Sequence, residues 1–197
     1  MGALIHDVGK TMIPKNILTK NTELTPQEQA IYNQHTRLGY KYLSDAYNLN
    51  SVSKVIVLQH HEQPDGKGYP DGLLNDKITE LSKIVSIADA YDILSTDGPN
   101  KRAMFPSDVL EYMMSNAGKI FDYNIVNIFC KIVIPFSKGT LVKLSTDEIA
   151  LVEETVPNFP LRPIVKILDS LNSSRINMKV NLIEEISIVI DSIVYEM

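Results

Sequence analysis

The chain has 197 residues, enough to bury a proper core as one domain or as one domain with a small appendage. Its 19 Lys and Arg against 24 Asp and Glu leave a net charge of −5, which excludes a general basic surface for DNA. A single cysteine, Cys130, excludes a disulfide framework, and no stretch is apolar for long enough to span a bilayer. Met1-Gly2 leads into no signal peptide, so the expected location is the cytoplasm.

Met1-Gly2-Ala3-Leu4-Ile5 has no capping residue and no polar lead-in, and reads as the middle of a helix. Gly9, directly after Asp7-Val8, is a plausible stop for it. Thr25-Pro26-Gln27-Glu28 is a helix start, with a capping Thr, Pro at the first helical position and Glu three residues after the cap. That helix is expected to carry His35 near its middle unless Gly39 breaks it. SVSKVIVLQHH, residues 51–61, and the stretch from Thr79 to Ser95 are further helices. Phe105-Pro106-Ser107 begins another, with Gly118 as its stop, and Asp122 caps one more that ends near Val133. Near Pro135 the texture changes. LVKL, IALVEE and PIVKIL, within residues 141–168, read as strands of a small antiparallel sheet or extended hairpin. The last stretch, residues 181–197, fits both periods. Ile186, Ile188 and Ile190 alternate as in a strand, while Leu182, Ile186, Val189 and Ile193 share a helix face that could serve a homodimer. The expected fold is mainly α: a helical domain over residues 1–133, then a small antiparallel β-rich extension over residues 134–197.

All four histidines, His6, His35, His60 and His61, fall at positions that could belong to one metal site. His6 precedes Asp7, and Asp89 sits in an apolar helical stretch where a carboxylate is costly unless paired or metal-bound. Imidazole with carboxylate suits Mn, Fe, Zn, Ni or Co better than Ca or Mg. Adjacent residues diverge by about 100° on a helix, so a His-Asp or His-His pair converges on one centre only at a helix end. Both pairs lie at such ends. Two metals bridged by a carboxylate and a hydroxide would form a clamp for phosphate-ester hydrolysis, with Lys10 neutralising the phosphate or assisting the leaving oxygen.

Four runs carry a resemblance to a known family. HDVGKTMIPKNIL (residues 6–18), LTPQEQAIYNQHTRLGYKYL (24–43), HHEQPDGKGYPDGL (60–73) and KIVSIADAYDIL (83–94) together resemble the HD-GYP phosphodiesterases, a branch of the HD superfamily. The resemblance implies hydrolysis of cyclic di-GMP to pGpG or GMP by a metal-activated hydroxide, with two or three divalent ions, iron or manganese. His6, Asp7, His35, His60, His61 and Asp89 would be ligands, with Asp7 bridging and Lys10 facing the scissile phosphate. Asp65, Gly66, Gly68, Tyr69 and Pro70 would form the loop beside the site, a surface for protein partners. The family carries a further ligand histidine roughly 30 residues before the His-Asp pair. The chain therefore reads as a fragment of a longer protein whose upstream part could hold a sensor. After Asp89 the family's usual Arg and Tyr positions hold Gly98 and Asn100, while Lys101 and Arg102 keep positive charge there for the substrate. Two other functions fit: a weakened member acting as a cyclic-dinucleotide-binding or interaction module, and a hydrolase of another phosphate ester.

Overall fold

The computed structural model describes residues 1–98 and 102–194. They divide into two units, Met1–Met104 with Glu111–Val126, and Phe105–Leu110 with Asn127–Met197.

The first unit begins with a short helix α1 (Gly2–Ile5), a 3-10 turn over Val8–Met12 and a second short helix α2 (Lys15–Leu18). Gly9 lies inside the 3-10 turn and does not stop a helix, contrary to expectation; α1 has already ended at Ile5. Helix α3 (Pro26–Asn33) opens as its sequence predicts. Thr25 Oγ1 accepts from the Glu28 amide, the Glu28 carboxylate accepts from the Thr25 amide, and Pro26 fills the first turn. This helix does not run through His35. It breaks at Gln34, and α4 (His35–Leu43) starts at the histidine. The expected breaker, Gly39, sits inside α4 instead. At the break the His35 ring and the Thr36 hydroxyl hydrogen-bond the carbonyls of Tyr32 and Asn33.

Helix α5 (Ser51–Gln59) is capped by Asn50, whose side chain accepts from the Val52 amide, and gives way at His60. Helix α6 (Glu80–Ser95) is capped by Thr79. α4 packs on the 3-10 turn and on α5, and α5 packs on α1 and α6. Ile13, Ile56, Val57 and Ile87 are buried in this part. Two further helices follow, α7 (Pro106–Ser115) and α8 (Tyr123–Ile132). Asp122 Oδ1 caps α8 by accepting from the amides of Asn124 and Ile125.

The second unit holds an antiparallel sheet of β1 (Leu141–Leu144), β2 (Ile149–Glu154), β3 (Ile164–Asp169), β4 (Lys179–Asn181) and β5 (Ile190–Ile193). Its order is β4-β3-β2-β1-β5. Alternate residues of β1, β2 and β3 are fully buried, so Val142, Leu144, Ala150, Val152, Val165 and Ile167 share one core. The ambiguous last stretch is no helix. Among its described residues Asn181 ends β4 and Ile190–Ile193 form β5, and Leu182 and Ile188 join the core from the segment between them. Among the described residues no helix is long and apolar enough to cross a membrane.

Candidate metal centre

Three helix ends and the middle of α6 bring six side chains of metal-ligating type together. His6 follows α1 and Asp7 comes next, in the sparsely populated bridge region at φ −96°, ψ 8°. His35 opens α4, His60 and His61 close α5, and Asp89 projects from α6. His6 Nε2 lies 3.4 Å from Asp7 Oδ2 and 3.4 Å from Asp89 Oδ1. Asp7 Oδ1 lies 3.5 Å from His35 Nε2 and 3.7 Å from His60 Nε2. The donors form two groups, Asp7 with His35, His60 and His61, and Asp7 with His6 and Asp89, each with its ligand atoms within 4.8 Å of one another. Asp7 belongs to both.

Five of these atoms are buried without a hydrogen-bond partner: His6 Nε2, Asp7 Oδ1, His35 Nε2, His60 Nε2 and His61 Nε2. An unpaired buried polar atom costs about 1–3 kcal/mol, so five such atoms gathered in two groups around Asp7 call for partners the protein itself does not supply. A divalent ion in each group, with imidazole and carboxylate donors, would satisfy them. The opposite ring nitrogens are already committed. His6 Nδ1 donates to the Ala3 carbonyl at 2.6 Å, His35 Nδ1 to Tyr32 at 2.8 Å and His60 Nδ1 to Val57 at 3.0 Å. A carbonyl only accepts, so the proton sits on Nδ1 and Nε2 is left to ligate.

The charges agree with this use. Burial pushes the Asp7 carboxyl upward, but His6, His60 and Lys10 beside it outweigh that and hold it well below the usual carboxylate range. Burial, then the neighbouring His60, hold His61 down to about 3, so it is neutral at pH 7. Asp7 and then Asp89 push His6 up to about 10. Without metal, His6 therefore keeps a second proton at neutral pH, and loading must expel it. Apparent metal affinity is expected to rise with pH, by about tenfold per unit for one displaced proton, and to level off only near pH 10. Calorimetric titration in buffers of different ionisation enthalpy measures the released proton; release of none would contradict the assignment.

Lys10 Nζ pairs with Asp7 Oδ2 and lies 5.6 Å from the centre of the Tyr32 ring. Arg102 is exposed, outside any helix or strand. Lys101, like Asn100, lies outside the described residues.

The predicted loop beside the cluster is present, and it is held more tightly than its turn residues suggest. Asp65 Oδ1 accepts from the Lys67 amide at 3.0 Å, and Gly66 has φ +77°. A Cβ on Gly68 would stand 2.3 Å from the Gln63 amide nitrogen, so only glycine fits there. Tyr69 stacks on His61 with ring centres 4.8 Å apart, and the Tyr69-Pro70 peptide is cis. The sequence reading missed three residues here. Glu62, 2% exposed, accepts from the amides of Asp71 at 2.7 Å and Leu73 at 2.8 Å. Arg37 donates to the Pro70 carbonyl and pairs with Asp71. Tyr32 packs edge-on against His35. The run HHE did display Glu62, but an acidic residue next to two histidines reads as another ligand candidate or as surface, not as a loop clamp. Glu62→Ala leaves the part-buried amides of Asp71 and Leu73 without their acceptor and is expected to cost about 1–3 kcal/mol of stability, measured by urea unfolding. A change under about 0.5 kcal/mol would show that the clamp is incidental.

A family model described as HD domain matches residues 1–125. The chain belongs to the HD domain family. A second model, described as a KOW domain associated with the HD domain, matches residues 141–196. A curated relative of the HD domain, the cyclic di-GMP phosphodiesterase response regulator RpfG of Xanthomonas campestris, is 39% identical over 64% of this chain and 34% of its own length. A cyclic di-GMP phosphodiesterase of Pseudomonas aeruginosa is 31% identical over 88% of this chain and 42% of its own length. The chain thus spans well under half of either relative. Among solved structures, the HDG"Y"P protein Bd1817 of Bdellovibrio bacteriovorus matches with a TM-score of 0.51 and 26% identity, covering 64% of this chain and 39% of that one. These matches agree with the resemblance of the metal-ligand motifs to the HD-GYP phosphodiesterases.

Proposed function

We propose that this chain is a metal-dependent phosphodiesterase that opens cyclic di-GMP to pGpG or carries it on to GMP, in the cytoplasm. The observation that carries the reading is one carboxylate, Asp7, shared by two donor groups whose buried atoms have no other partner. The names of the relatives support the choice of substrate. The two donor groups suit divalent ions such as Mn, Fe, Zn, Ni or Co, and the resemblance to the HD-GYP phosphodiesterases narrows these to two or three ions of iron or manganese. Such ions, when bound, activate water and polarise phosphoryl oxygens.

The chain's own groups would do the rest. Asp7 offers one oxygen to each donor group. The backbone carbonyls of Ala3, Tyr32 and Val57 keep three imidazoles in the ligating tautomer. Lys10, which pairs with Asp7, would face the scissile phosphate and offset negative charge developing there. Lys101 and Arg102 would lend positive charge to substrate binding, as the resemblance implies, and the loop from Asp65 to Pro70 covers the cluster on the His61 side.

A second reading keeps the metals and loses the turnover, leaving a cyclic-dinucleotide-binding module. Gly98 favours it, because glycine stands where the resemblance expects an arginine. Hydrolysis of cyclic di-GMP by the protein purified without oxygen, with metal content measured alongside, separates the two. Turnover is expected. Full metal occupancy with no turnover overturns the enzyme and leaves the binding module.

A further inference from the structure

A cleft of about 260 Å³ opens beside the cluster, with His61, Tyr69 and Asp89 on its inner side. Ser86, Asp89 and Ile93 line it from successive turns of α6, so one helix stripe runs from the cluster into the cleft. Ile93, Ile120 and Phe121 supply apolar wall. Three neutral polar residues also line it, Gln63, Ser86 and Tyr112. Their carboxamide and hydroxyls make no hydrogen bond among the described residues, although other hydroxyls on these helices, such as Ser95 and Ser115, bond back to the backbone. Among the described residues no Lys or Arg lines the cleft.

An apolar slot with a few convergent, unpaired polar groups is built for a flat, uncharged ligand that hydrogen-bonds at its edge. A phosphate would find no cation among these lining residues. A nucleobase fits the chemistry. In a cyclic dinucleotide the base hangs one ribose away from the phosphate, so a phosphate at the cluster places its base within reach of the adjoining cleft. We infer that this cleft seats one nucleobase of the substrate and that Gln63 reads its edge. The inference rests on the proposed phosphodiesterase reading of the cluster. A carboxamide offers one acceptor and two donors, which pair bidentately with the N6 amino group and N7 of adenine. Guanine presents two acceptors on the same edge, O6 and N7, and is matched better by a guanidinium. Gln63 can give only an N–H to that guanine edge but pairs with both groups of adenine, so it admits adenine beside the guanine of cyclic di-GMP, and a base preference is written into this residue.

The test uses the full, metal-loaded chain and four phosphodiesters. Three are cyclic dinucleotides carrying two guanines, one guanine and one adenine, or two adenines. The fourth, bis(p-nitrophenyl) phosphate, has no base. Gln63→Leu is expected to lower kcat/KM for the cyclic dinucleotides about tenfold relative to bis(p-nitrophenyl) phosphate, mainly through KM. Gln63→Arg is expected to shift the adenine-to-guanine ratio of kcat/KM toward guanine by about tenfold. Unchanged ratios in both variants overturn the base subsite and leave the phosphodiesterase reading standing. Cleavage of bis(p-nitrophenyl) phosphate with no cyclic dinucleotide cleaved overturns both. Calorimetric binding of the same three dinucleotides covers a protein that binds without turnover. About tenfold weaker binding by Gln63→Leu supports the subsite, and equal or absent binding overturns it.

Discussion

Asp7→Ala is expected to strip the protein of most of its bound metal and to lower hydrolysis of cyclic di-GMP at least about a thousandfold. The size of the effect follows from where Asp7 stands. Its Oδ1 lies within 3.7 Å of His35 and His60, its Oδ2 within 3.4 Å of His6, and no other residue belongs to both donor groups. Removing it also deprives Lys10 of its ion-pair partner and leaves four imidazoles facing one another with a single carboxylate, Asp89. Asp89→Ala touches one group only. It is expected to leave the His35, His60 and His61 group with metal and to lose only the metal held by the His6 and Asp89 group. Elemental analysis of the two purified variants distinguishes them. Equal metal loss in both would show that the two groups are not joined through Asp7. Wild-type metal content and turnover in Asp7→Ala would sink the proposed centre altogether.

The six residues of the cluster were legible because each is costly to place for any other reason. Paired histidines at helix ends and a carboxylate inside an apolar stretch stand out from a chain that has only four histidines. The strands were legible from period-2 alternation, since β1, β2 and β3 bury alternate residues against one core. The break between α3 and α4 was not legible. Gln34 is a good helix former, and the chain turns there because the His35 ring and the Thr36 hydroxyl bond carbonyls three residues back. The span from β4 to β5 was ambiguous for a related reason. Its apolar residues satisfy two periods at once, and pairing with β1 and β3, distant in sequence, decides between them. The loop clamps, Glu62 and Arg37, act on backbone groups 9 and 33 residues further along the chain, which no local pattern encodes. Gln63 is harder still to see. It sits inside a run whose glycines and proline announce a turn, and its position on a cleft wall depends on α6 and on Phe121, far away in sequence.

Gly9 shows how a residue read as a helix stop sets the geometry of the centre. A Cβ there would stand 1.8 Å from the His35 carbonyl oxygen, 2.8 Å from the carbon of that carbonyl and 2.6 Å from the Gly39 amide nitrogen. All three are backbone atoms, so no rotamer change relieves the overlap, and the 3-10 turn and α4 must move apart. Asp7 lies two residues before Gly9, and His35 is itself the residue struck. The 3.5 Å approach of Asp7 Oδ1 to His35 Nε2 thus depends on the same close contact. Gly9→Ala is expected to cost at least about 3 kcal/mol, lowering Tm by roughly 6–12 °C, and to weaken metal binding in whatever fraction stays folded. Gly39→Ala is the milder comparison. Its Cβ would meet Val57 Cγ1 at 2.9 Å and the Gly9 amide nitrogen at 3.1 Å, and the first of these can yield by side-chain rearrangement. Thermal unfolding with metal titration ranks the two. A Gly9→Ala protein as stable as the wild type, with unchanged metal affinity, would mean that the backbones of the turn and α4 need not touch for the centre to form.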